Sequence, residues 1–169
     1  MCYILGISYV SGVFVMTKIL VVSDSHGDEW KLNDAIKAVP EAKIVFHLGD
    51  GEHEARLAAE KNSAKFFHLV QGNCDWGSEL PADIIDIIES KRIYACHGHT
   101  HLVKYGTSFL VAAAKQNNCA VALYGHTHNP AAEYVDGVLL FNPGSIKQGD
   151  FGTIDIADNG ILPVLRKLD

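Results

Sequence analysis

An α/β fold, with a parallel sheet in the first half and a second sheet packed on it, is the fold class the sequence predicts. Three features predict it. Short β-branched runs alternate with segments of helical periodicity through the first half; hairpin signals crowd the second half; and the runs end in polar turn residues.

Lys18–Ser23 (KILVVS) suits a buried parallel strand, because both of its faces are apolar. Asp24-Ser25-His26-Gly27 is turn chemistry. Trp30, Leu32, Ala35, Ile36 and Val39 then recur at helical spacing, and Pro40 closes that helix. Lys43–Leu48 (KIVFHL) is a second strand ending at Gly49-Asp50-Gly51. Glu52–Asn62 reads as a helix with Ala55, Ala58 and Ala59 on one side, and Lys65–Val70 (KFFHLV) as a third strand ending at Gly72-Asn73-Cys74-Asp75. Beyond it the pattern changes. Ile84–Glu89 and Arg92–Cys96 flank Ser90-Lys91 as a hairpin, Ser108–Gln116 is helical, and Cys119–Tyr124 is a buried strand ending at Gly125-His126-Thr127-His128. Ala132–Val135 and Val138–Phe141 flank Asp136-Gly137, and Thr153–Ala157 and Ile161–Arg166 flank Asp158-Asn159-Gly160; these hairpins predict the second sheet.

The length of 169 residues suits one domain, and 48% hydrophobic with 20% charged residues is an ordinary globular balance. A net charge of −6 argues against a broad grip on nucleic acid, which needs clustered Lys and Arg, so no extended nucleic-acid partner is expected. Cys2, Cys74, Cys96 and Cys119 form no CxxC pair. A disulfide framework or zinc knuckle is not expected, and free thiols fit a cytoplasmic location. Residues 1–15 carry no charge. They lack the basic start of a signal peptide, and serines, glycines and Lys18 dilute the run as a membrane span. The expected organisation is an extension over 1–15, as an added edge strand or an apolar surface for a homo-oligomer, and one domain over 16–169, with no membrane association.

Five strands end in polar clusters: Asp24/His26, Asp50, Asn73/Asp75, His97/His99/His101 and His126/His128. In an open α/β sheet the carboxyl ends of strands share one rim, where ligands bind, so these clusters should converge. Imidazole, carboxylate and amide oxygen are ligands for divalent metals, and there are more donors than one ion needs. Two ions sharing a bridging carboxylate use them all, an arrangement suited to in-line displacement at phosphorus. Each cluster also has a plainer explanation: Asp24 as a helix cap, Asp50 and Asn73 as turn residues. His47 and His68, inside strands, and His53, at a helix start, read as structural or solvated. What separates ligands from caps is their recurrence at every strand end. Residue position alone does not separate His97 from His99.

Asp24-x-His26, Gly49-Asp50, Gly72-Asn73, His97 and Gly125-His126-Thr127-His128 resemble, in order, the motifs of the calcineurin-like metallophosphoesterase superfamily. Gly72-Asn73-Cys74-Asp75 and Asn142-Pro143-Gly144-Ser145 resemble its small prokaryotic phosphodiesterase branch. The resemblance implies a four-layer α/β/β/α sandwich of two packed mixed sheets flanked by helices. It implies that Asp24, His26 and His128 bind a first metal, that Asp50 bridges, and that Asn73, His97 and His126 bind a second. The implied metals are manganese, iron, nickel or zinc, with manganese favoured. The implied reaction is hydrolysis of a small phosphodiester by in-line attack of a metal-bridging hydroxide, with Asn73, Cys74 and His99 near the chemistry. Cys74 stands where the wider superfamily often has His. A thiol is a poor substitute for imidazolium, so diesters should be favoured over monoesters. The alternative is a non-catalytic protein-binding scaffold of the same fold, as in a retromer coat subunit whose metal site is degraded; a complete ligand set argues for the enzyme.

Overall fold

The structure is a computed structural model that describes residues 16–157 and 159–169. The expected edge strand and interface over residues 1–15 lie outside the described residues, as does Asp158.

Along the chain run β1 (Thr17–Val22), α1 (Glu29–Ala38), β2 (Ile44–His47), α2 (Glu52–Lys61), β3 (Phe66–Leu69), β4 (Asp83–Ile88), β5 (Lys91–Cys96), α3 (Ser108–Gln116), β6 (Val121–Leu123), β7 (Ala131–Val135), β8 (Val138–Asn142), β9 (Asp150–Ala157) and β10 (Gly160–Lys167). Short 3₁₀ turns occupy His99–His101 and Ile146–Gln148. The strands form two five-stranded sheets, β10-β9-β1-β2-β3 and β4-β5-β6-β8-β7. Both are mixed: β1-β2-β3 and β5-β6-β8 are parallel, and the remaining strands pair antiparallel.

The period of two along each strand sorts the side chains into layers. Ile19 and Val21 of β1 join Phe46, Ile93, Val121, Leu123 and Phe141 in a core between the sheets. Leu20 and Val22 face the other way, against Leu32, Ala35 and Ala58 of α1 and α2. Tyr94, Cys96 and Leu140 pack against Leu110, Val111 and Ala114 of α3. The result is the α/β/β/α sandwich implied above. Fully buried residues such as Phe46, Leu20 and Ile93 each supply roughly 1.5–3 kcal/mol of burial free energy.

Four details differ from expectation. The last hairpin, β9-β10, joins the first sheet rather than the second. The Ile146 N–H donates to Ser23 O at 2.9 Å, delivering the chain to the free edge of β1, where β9 pairs antiparallel. The first hairpin turns at Glu89 and Ser90, φ 45° and 63°, one residue earlier than read, with Ile88 opposite Lys91. Gly160 opens β10 instead of closing the turn, and β6 is confined to Val121–Leu123. The Asp136-Gly137 turn is as expected, with φ 50° and 84°.

Candidate metal centre

The polar clusters meet at one rim, where the carboxyl ends of β1, β2, β3, β5 and β6 converge. Asp24 Oδ1 lies 3.0 Å from His128 Nε2 and 3.8 Å from His26 Nε2. Those two imidazole nitrogens face each other at 3.4 Å. Asp50 Oδ2 lies 3.9 Å from His26 Nε2 and 3.5 Å from His97 Nε2, so it stands between two groups of donors. Asn73 Oδ1 is 3.1 Å from His97 Nε2, and the His126 ring centroid is 5.0 Å from that of His97. Asp24, His26 and His128, and likewise Asp24, Asp50 and His97, present ligand atoms all within 4.8 Å of one another.

Backbone strain is concentrated here. Of ten non-glycine residues with positive φ among the described residues, five are Asp24, His26, Asp50, His126 and His128, at 45° to 66°. Each costs of order 1–3 kcal/mol, and such residues persist where surrounding structure over-determines them. Asp24 is not a helix cap: Asp28 caps α1, accepting from the Lys31 N–H at 3.0 Å. Asp24 Oδ2 is instead occupied by the Ser23 hydroxyl at 2.5 Å and the His126 N–H at 3.1 Å, while Oδ1 is buried with no hydrogen-bond partner. A buried carboxylate oxygen without a donor is costly, and a cation resolves it. The donor set therefore fits divalent metal.

The electrostatics agree. Burial alone would raise the Asp50 carboxyl, but His97 and the Cys74 N–H outweigh it and hold it well below the usual carboxylate range. Burial and the neighbouring His97 lower His126 to about 4, which keeps it a neutral ligand at pH 7. Burial would lower His97, but Asp50 and Asp24 raise it above its ordinary value. His97 Nδ1 donates to Leu48 O at 2.7 Å, turning Nε2 toward Asp50 and fixing the ring from behind. That separates it from His99, which lies at the margin, 5.4 Å ring to ring from His97, with its Nδ1 buried and unpartnered. His101 turns away to the Tyr94 hydroxyl, 3.2 Å from its Nε2.

A family model for the calcineurin-like phosphoesterase superfamily domain matches residues 17–157. The chain belongs to that superfamily. It is 33% identical over 130 residues to the probable metallophosphoesterase YsnB of Bacillus subtilis, covering 76% of this chain and 75% of that one. It is 29% identical over 182 residues to the phosphodiesterase YfcE of Escherichia coli, covering 91% and 94%. A predicted phosphoesterase structure from Streptococcus pneumoniae superposes with a TM-score of 0.79 at 28% identity over 90% of each chain. Vacuolar protein sorting 29 from Cryptosporidium parvum shares the fold, with a TM-score of 0.70 at 15% identity over 92% and 99%. As a calcineurin-like phosphoesterase, the chain is a metal-dependent phosphoester hydrolase.

All seven residues expected as ligands lie at this one rim. What the sequence reading missed are the residues that hold the loops. Asp75 accepts from four backbone N–H groups: Asp50 and Gly51 at 2.9 Å each, Glu52 at 3.0 Å and Gly72 at 2.8 Å. It ties the loop after β3 to the loop after β2. His47 is buried; its Nδ1 accepts from the Gly49 N–H at 3.3 Å, so Nε2 donates to the Ser25 hydroxyl at 2.9 Å. Asn142 Nδ2 donates to Gly125 O and Thr127 Oγ1, both at 3.0 Å, and the Ser145 hydroxyl to Asp24 O at 2.9 Å. Glycines let these loops touch: a Cβ on Gly72 would collide with the Asp50 carboxylate and backbone, and one on Gly125 with Ser23. Asp75 had a sequence signal, an acid closing a glycine-led turn between ligands. The partner of His47 is 22 residues away and had none.

Proposed function

We propose that this chain is a dinuclear metal-dependent phosphodiesterase acting on a small phosphodiester. The observation that carries this is the placement of Asp50 Oδ2 between His26 Nε2 and His97 Nε2, beside the buried Asp24 Oδ1, which has no hydrogen bond and faces His128 Nε2 at 3.0 Å. Asp24, His26 and His128 would hold one cation; Asn73, His97 and His126 a second; Asp50 both. Two bound cations would supply positive charge to the phosphoryl oxygens and hydroxide at neutral pH. That is how an acidic protein accepts an anionic substrate. Manganese is the favoured occupant, with iron, nickel and zinc as alternatives suited to the same donors.

The protein's own groups set the geometry. The Leu48 carbonyl aims His97, the Cys74 N–H holds Asp50 Oδ1 at 2.7 Å, and Asn73 directs its amide oxygen toward His97 while its Nδ2 donates to Cys74 Sγ at 3.2 Å. Burial and the nearby Asp50 raise the Cys74 thiol above its ordinary value, so at neutral pH Cys74 contributes no charge to the phosphate. His99, with a buried unpartnered nitrogen at the rim, is assigned to substrate contact. The free thiols of Cys74, Cys96 and Cys119 suit a cytoplasmic setting. A pure scaffold would have no use for five strained residues and a complete donor set.

Elemental analysis paired with a model-diester assay is the test. Two manganese ions per chain with turnover supports the proposal; metal-free protein, or metal with no turnover, rejects it. Asp50→Asn should lower activity by about three orders of magnitude, the scale of losing a major electrostatic anchor, and lower metal content while the fold persists. Full turnover with both metals bound would reject the bridging role.

A further inference from the structure

Beside the metal centre lies a second hollow that the chemistry at phosphorus does not use. It is a cleft of about 400 Å³ between the start of α2 and the loop after β3, lined by Glu52, His53, Arg56, Cys74, Trp76 and Ser78 among others. The hollow holding His26 and Asp50 shares Glu52, His53, Cys74 and Asp75 with it, so the two adjoin. Trp76 lines the cleft and not the hollow holding His26 and Asp50, three residues past Asn73, with 92% of its surface exposed.

Exposure alone decides nothing, since Trp30 is 83% exposed in a separate cleft with Lys37 and Lys61. Two things set Trp76 apart. Its backbone is held: the neighbouring Asp75 carboxylate is locked by four backbone N–H groups, and the Trp76 N–H donates to Cys74 O at 3.1 Å. It also shares one short loop with a candidate ligand. The charges in the cleft narrow what fits. The lining carries two carboxylates, Glu52 and Asp75, against one guanidinium, Arg56, whose Nε is held by Glu52 at 2.7 Å, so this balance of acid over base disfavours a second phosphate. A neutral planar group suits the place: it stacks on the indole and presents hydrogen-bonding edges to His53 and Ser78.

We infer that Trp76 is a specificity residue that stacks a nucleobase carried by one ester group of the substrate. The inference rests on the phosphodiesterase reading and deepens it. Base–aromatic stacking of this kind changes affinity by about tenfold or more.

The test uses the manganese-loaded full chain with Trp30→Phe as background, leaving Trp76 as the sole indole. Adenosine 5′-monophosphate and ribose 5-phosphate carry the same phosphate on the same sugar and differ in the base. Adenosine monophosphate should quench Trp76 emission and bind about tenfold tighter by calorimetry. Trp76→Ala should bring its affinity to that of ribose 5-phosphate, and Trp76→Phe should keep most of the preference. Trp76 is almost fully exposed, so its removal leaves the fold intact. Equal affinities in the parent protein, or a preference that survives Trp76→Ala, overturn the inference while manganese-dependent phosphate binding keeps the phosphodiesterase reading. If chelation changes neither affinity, the metal reading fails and this inference with it.

Discussion

Cys74 shows how one side chain can tune a shared site. Its backbone N–H holds Asp50 Oδ1 at 2.7 Å, while its thiol, pushed up by burial and then by Asp50, stays neutral near pH 7. A monoester dianion with a poor leaving group needs more positive charge and a better proton donor than a diester does. Diester turnover should therefore exceed monoester turnover in the natural protein, and Cys74→His should raise the monoester rate by about tenfold, a fraction of what a well-placed acid supplies. Paired kcat/KM values for phenyl phosphate and diphenyl phosphate, which share a poor leaving group, check this; equal rates before the substitution would refute it. The main-chain N–H that grips Asp50 is untouched by the change, so metal content should hold.

Loops at the strand ends are the elements that decide this site, and their anchors are not the ligands. Asp75 neutralises four orphan N–H groups across two loops, and those N–H groups outweigh the effect of burial to hold its carboxyl below the usual range. Asp75→Asn substitutes an amide, with one acceptor and an unwanted donor, and should cost about 2–3 kcal/mol. For a domain of this size that lowers Tm by roughly 4–12 °C. Thermal melts and metal titration should move together; a melt unchanged from wild type would remove Asp75 from this role. His47 makes a pH argument at the same scale. Burial lowers it from its ordinary 6.5, outweighing Glu54, Asp75 and Asp24. The unfolded chain thus binds the proton more readily. Stability from this group is full above its unfolded value of 6.5 and is lost as pH falls below it. Urea unfolding should show a decline from about pH 7.5 to about pH 5.5 that is shallower in His47→Gln; identical slopes would exclude His47 as the cause.

Across the molecule, two sheets bring to one rim donors from residue 24 to residue 128. The buried carboxylates and strained backbone there reduce stability until cations bind. Metal occupancy at about 100 times Kd adds about 2.7 kcal/mol. Chelation should thus lower Tm by roughly 5–10 °C and abolish diester hydrolysis, with manganese restoring both. Calorimetry before and after chelation measures it, and an unchanged melt with full activity would break the link between metal and rim. Among the described residues no helix is long and apolar enough to cross a membrane.

The amino-acid order already specified the alternation of strand and helix, the two-faced apolar runs that make both sheets, and the candidate ligands, because periodicity, turn chemistry and the recurrence of Asp, Asn and His at strand ends are local properties. Residue spacing carried no information on which way an imidazole points. What distinguishes His97 from His99 is a carbonyl 49 positions away, at Leu48, which holds the His97 ring. The destination of the last hairpin, the bracing by Asp75, His47 and Asn142, and the nearness of the Trp76 cleft to the rim likewise came only with the fold. Each depends on contacts between segments far apart in the chain, where only packing decides which groups meet.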